Sequence, residues 1–152
     1  MKCNFPVTDV EYVLNDIDSL ISTTDLNGQI THVNSDFIRI TGYAKDELIG
    51  VAHNIVRHPD MPVEVFEDMW ASFKAGRPWS GIVKNRCKNG SFYWVIANAT
   101  PLYENNEWIG YMSVRTKASA EQIKLASTAY QSIRAGNVAK LKIQDGKIVR
   151  PT

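Results

Sequence analysis

Between Trp79 and Thr116 the chain holds three strand-like stretches, Trp79 to Lys88, Phe92 to Thr100 and Trp108 to Thr116. Only turns at Lys88, Asn89, Gly90 and at Glu104, Asn105, Asn106 separate them. Parallel neighbours need a crossover of about a dozen residues or more, so connections this short force antiparallel pairing. A sheet needs a covered face, and the preceding segment supplies the cover. Met61 to Ala75 carries Phe66, Met69, Trp70 and Phe73 at three- and four-residue spacing, the pattern of an amphipathic helix, which Gly76 and Pro78 then stop. Further upstream, Leu20 to Thr24 and Gln29 to Val33 flank the turn Asp25, Leu26, Asn27, Gly28 and read as a hairpin. Asn34 and Ser35 can cap a short helix that bears Phe37, Ile38 and Ile40 and ends at Gly42, and Lys45 to Leu48 gives one more turn before Gly50. This order of elements predicts an α+β fold, an antiparallel sheet with short helices on one face.

Residues 1–18 have no clear period and read as an N-terminal arm or cap. Residues 19–117 are expected to form the main domain, and 118–152 a C-terminal helix and the start of an output linker. In that stretch Ser119 and Gln122 are spaced as a capping box that opens an amphipathic helix running towards Gly136. Lys140 to Arg150 then alternates around Asp145 and Gly146, a hairpin signal. A chain of 152 residues with 44% hydrophobic and 22% charged residues suits one globular core. The net charge of +1 gives no field to attract nucleic acid or an anionic membrane surface. The two cysteines, Cys3 and Cys87, form no CxxC pair and no zinc pattern, which fits a reducing compartment. No apolar run approaches the roughly 18 residues of a membrane-spanning helix.

Side chains along a strand alternate between faces, so Trp79, Gly81, Val83, Asn85 and Cys87 share one row. Ser80, Ile82, Lys84, Arg86 and Lys88 share the other, and its charges are expected to face water. Asn85 thus sits in an apolar or small row, where a buried amide without a partner costs about 1–3 kcal/mol. The partner is either a neighbouring backbone group or a ligand. A flavin ring would suit, because its carbonyl and NH edge matches both ends of an amide while Trp79 and Tyr93 offer apolar faces. Tyr93, Val95 and Ala97 share the facing row, where the small Ala97 leaves room. A second constellation, Arg57, His58, Pro59, Asp60, precedes the long helix. Two potential cations beside free helical NH groups make an anion site suited to a pyrophosphate, with Asp60 as a cap, an orienting group or a ribose acceptor. The competing reading is a surface loop with a helix cap and a solvated arginine.

Arg57-His58-Pro59-Asp60-Met61-Pro62, Pro78-Trp79-Ser80-Gly81-Ile82-Val83-Lys84-Asn85-Arg86, Lys88-Asn89-Gly90 and Tyr93-Trp94-Val95 together resemble the FAD-binding PAS domains of aerotaxis receptors. Thr23-Thr24-Asp25, Thr41-Gly42-Tyr43 and Gly110-Tyr111-Met112-Ser113 extend the resemblance over about residues 20–117. It implies a five-stranded antiparallel PAS fold enclosing a ligand pocket, with FAD held non-covalently. It also implies a sensor, not an enzyme, that reports flavin redox state as a proxy for oxygen or electron transport. Carried over by motif, Arg57, His58 and Asp60 are expected to bind FAD, and Trp79, Asn85 and Tyr93 to lie near the ring; Asn34, Phe66 and Tyr111 are weaker candidates. Further implied are a cytoplasmic domain of a membrane-anchored receptor, a downstream region of the same receptor, a chemotaxis kinase complex and, as a candidate partner, a second copy. Light-sensing flavin domains of the same fold carry a reactive cysteine where this chain reads Val51-Ala52-His53-Asn54-Ile55-Val56-Arg57, so redox sensing is favoured over light sensing. The rival readings are a haem sensor ligated by His53 or His58, and a ligand-free interaction module using Lys84, Arg86 and Lys88.

Overall fold

The computed structural model describes residues 7–136, 142–144 and 146–149. Five strands, β1 (Leu20–Asp25), β2 (Ile30–Val33), β3 (Trp79–Arg86), β4 (Phe92–Glu104) and β5 (Glu107–Lys117), form one sheet in the order β2-β1-β5-β4-β3. Every neighbouring pair is antiparallel. The first hairpin joins the last three strands through β1 and β5, with Leu20 opposite Arg115 and Asp25 opposite Gly110. The β4–β5 hairpin runs beyond its expected end because Asn105 and Asn106 take φ values of 51° and 66°. Two successive left-handed residues match the twist of a tight hairpin, and asparagine tolerates that conformation, so pairing persists to Glu104 opposite Glu107.

Helices α1 (Ser35–Thr41), α2 (Lys45–Leu48) and α3 (Val63–Lys74), with a 3-10 turn at His53–Val56, cover the inner face of the sheet. They bury Phe37, Ile40, Leu48, Val56, Val65 and Phe73 against Tyr93, Val95, Ala97 and Ala99 of β4. The caps of α1 are those expected: Asn34 Oδ1 accepts from the Phe37 NH at 3.1 Å, and Gly42 closes the helix at φ 78°. α3 starts later than Met61 because Pro62, extended at ψ 143°, stands at its N-cap and keeps Met61 out of the helix.

The outer face is covered as well. Helix α4 (Ala120–Arg134) opens with the anticipated capping box, the Ser119 NH donating to Gln122 Oε1 at 2.9 Å and the Gln122 NH to Ser119 Oγ at 3.1 Å. It folds back on β3, burying Ala126, Ala129, Tyr130 and Ile133. The Tyr130 hydroxyl donates to the Ile82 carbonyl at 2.5 Å. The described part of the N-terminal arm is extended rather than helical, with the Tyr12 NH donating to the Phe92 carbonyl at 2.7 Å and the Phe92 NH to that of Val10 at 2.9 Å. The expected solvated row needs correcting, since Lys84 lies beside α4 and Arg86 turns to the α1–α2 connection. Arg86 is buried and donates to Tyr43 Oη at 2.8 Å and to the Cys87 carbonyl at 3.0 Å, while Lys84 is mostly covered. Alternation assigns a residue to a side of the sheet, but what lies over that side comes from distant segments. Strands β6 (Lys142–Gln144) and β7 (Lys147–Val149) pair with Gln144 opposite Lys147 as the alternation suggested; Cys3, Lys140, Asp145 and Arg150 lie outside the described residues. Among the described residues no helix is long and apolar enough to cross a membrane.

Candidate ligand-binding cavity

A cavity of about 190 Å³ lies between the inner sheet face and the helical layer. Alternation on three strands aims Trp79, Val83, Asn85, Ala97, Tyr111, Ser113 and Arg115 at it, while α3 contributes Phe66, Met69 and Trp70. The 3-10 turn and the residue after it add His53, Asn54, Val56 and Arg57. The walls are thus aromatic and apolar, with a few polar groups on fixed backbone.

Of the nine residues singled out from the sequence, Arg57, Phe66, Trp79, Asn85 and Tyr111 line this space. Arg57 joins Asn85 through an isolated antiparallel bridge, and its guanidinium lies 3.7 Å from the centre of the Phe66 ring. The Asn85 amide nitrogen is set to donate to the carbonyls of Val56 and Lys84, each at 3.2 Å, so a backbone partner serves one end of the amide. Opposite Asn85 in register, Tyr93 is fully buried; its hydroxyl lies near that amide without completing a hydrogen bond, and burial raises its pKa. Trp79 folds its indole over Gly81, where a Cβ would come 2.5 Å from the ring, and donates Nε1 to Asp68 Oδ2 at 2.7 Å. Glycine at 81 is therefore a requirement of that ring position.

The other three residues lie elsewhere. Asn34 caps α1 and ties it to β1, accepting from the Ile21 NH at 3.0 Å and donating to the Ser19 carbonyl at 2.8 Å. His58 is buried on the far flank of its loop against Phe92, at 6.4 Å between ring centres, and its Nδ1 accepts the Asp60 NH at 3.0 Å. Asp60 is half-exposed and pairs with Lys84 at 3.1 Å.

Sequence reasoning missed Arg115 as a cavity residue, and His53 appeared there only as a haem candidate. Arg115 is 4% exposed and donates to Ser22 Oγ at 3.2 Å and to His53 Nε2 at 2.5 Å. No carboxylate among the described residues pairs with it. Burial, then the Arg115 charge, hold His53 well below its usual pKa, so the ring is neutral and Nε2 is an acceptor. The available signal was parity, because Tyr111, Ser113 and Arg115 share one row of β5 and an arginine in a buried row needs a reason.

A family model described as the PAS fold matches residues 30–115. The aerotaxis receptor of Escherichia coli K12 is 49% identical over 144 residues, covering 95% of this chain and 28% of that protein. The chain therefore spans less than a third of that relative, which is by name a receptor and not an enzyme. Among solved structures, a PAS domain from Colwellia psychrerythraea superposes with a TM-score of 0.62 at 23% identity, over 67% of this chain and 87% of that one. A light-oxygen-voltage domain studied with a flavin analogue superposes at 0.60 with 20% identity, over 78% and 87%.

Proposed function

Because this chain belongs to the PAS fold family, we propose that it is the sensor domain of an aerotaxis receptor, binding FAD non-covalently and reporting its redox state. The observation that carries this reading is the polar set in the cavity wall. Asn85, Arg115 and neutral His53 stand on strand and turn backbone among Trp79, Phe66 and Met69. An amide, a buried cation and aromatic walls suit a planar ring with a carbonyl and NH edge. The cavity exceeds the roughly 150 Å³ void that holds benzene, so part of a fused ring system would fit within it. A bound flavin supplies reversible electron uptake. Arg115 would place positive charge beside it, the apolar walls would exclude water, and Asn85 would hold the ring's carbonyl and NH edge. A hundredfold shift between two output states needs about 2.7 kcal/mol, which one or two rearranged buried hydrogen bonds supply. The recipients are the downstream region of a longer cytoplasmic, membrane-anchored receptor, a chemotaxis kinase complex and a second copy.

Haem fits the geometry less well. The His53 Nε2 lone pair that iron would need is engaged by Arg115, and His58 Nδ1 by the Asp60 NH. An absorption spectrum of the purified chain, with heat release and chromatography of any chromophore, tests the reading. Flavin bands with FAD released support it. A Soret band or no chromophore after incubation with FAD overturns it. Asn85→Ser with normal FAD binding and unchanged signalling would refute the amide switch alone.

A further inference from the structure

The loop between the 3-10 turn and α3 faces two ways within a few residues. Arg57 lines the cavity and stacks on Phe66. His58, Asp60 and Met61 turn to the opposite flank, where α4 ends. There the His58 Nδ1 accepts the Asp60 NH at 3.0 Å, and Asp60 Oδ2 pairs with Lys84 at 3.1 Å. Met61 Sδ accepts the Lys84 NH at 3.3 Å. From the last turn of α4, Arg134 donates to the Asp60 carbonyl, one turn beyond the Tyr130 hydroxyl that holds α4 to β3. A small polar hollow lined by Asp60, Lys84, Tyr130 and Arg134 marks the seam.

The arrangement points to His58 and Asp60 as positioning residues, with Arg134 as their counterpart on α4, so that occupancy of the cavity and docking of the end of α4 are linked; this rests on the flavin reading above. A shift of Arg57 to meet a ligand drags Asp60, three residues on, and the Asp60 carbonyl is what Arg134 grips. Linkage is reciprocal: if ligand tightens α4, then α4 must tighten ligand. Arg134 grips Asp60, which does not line the cavity, so a structural role confined to α4 would leave ligand affinity unchanged.

The test uses the whole 152-residue chain with FAD as probe, reading affinity by fluorescence titration and α4 docking by amide hydrogen exchange. Expected are slower exchange at Tyr130–Arg134 when FAD is added, FAD binding at least about fivefold weaker in Arg134→Ala, and recovery of most of that loss in Arg134→Lys. FAD binding with unchanged exchange in α4, or equal affinity in the wild type and Arg134→Ala, overturns the linkage and leaves the flavin reading standing. Failure of the folded wild-type chain to bind FAD overturns both.

Discussion

On the outer face of the sheet Tyr130 fills its place and gives its hydroxyl to a carbonyl, whereas on the inner face Tyr93, equally buried, has a hydroxyl with no completed hydrogen bond. The charges differ in the same way. Outer-face Lys84 has a carboxylate, Asp60, while Arg115 inside has only Ser22 and His53. The outer face is largely closed by the chain itself, through α4 and the arm, although the buried Arg86 of that row also leaves its Nε without a partner. The other is walled but left with polar groups that protein alone does not fully satisfy, and a buried polar group without full compensation is costly. On the inner face such groups surround a cavity, which is what the flavin reading requires.

The largest effect belongs to the finished face. Tyr130→Ala should lower the stability of the ligand-free chain by about 3–5 kcal/mol, the cost of emptying a buried aromatic site. Urea denaturation followed by circular dichroism measures it, and a loss under about 1 kcal/mol would mean that α4 is not part of the core.

Acid should act next. Burial, then the Lys84 charge, push buried His58 down to about 4, while the unfolded chain keeps a histidine near 6.5. Between those values the unfolded state binds the proton and the folded state does not. Stability should therefore be flat above pH 6.5 and fall as pH drops towards 4, by up to about 3 kcal/mol from His58. His53 is shifted in the same direction and adds to the fall. Urea midpoints at pH 7 and 4.5 check this, and His58→Gln should shrink the difference.

The smallest stability change, and one opposite in sign, is expected inside. Arg115→Leu removes a buried cation that has no carboxylate, so the ligand-free chain should gain about 1–2 kcal/mol while its affinity for FAD falls. A loss of stability would show that Ser22 and His53 already compensate the charge, and the contrast between the faces would disappear.

Much of this was legible in local pattern. The two short turns dictated antiparallel strands, Asn34 and Gly42 bracketed α1, and Ser119 with Gln122 opened α4. Parity put Trp79, Val83 and Asn85 on the cavity side, where the structure has them. Adjacent motif residues were harder to read. Arg57 and His58 looked like a joint anion site, yet consecutive side chains on extended backbone diverge, and the two lie on opposite flanks of the loop.

By itself the sequence determined the element order, the antiparallel pairing and the side of the sheet to which each strand residue points, because these depend on neighbours within a few positions. Tertiary structure alone decided that Ser22, His53 and Arg115 meet in one cluster and that α4 covers Lys84 and grips Asp60. It alone decided that the Trp79 indole lies over Gly81. The reason is physical: a period fixes direction along one element, whereas contact and burial depend on which distant element arrives opposite.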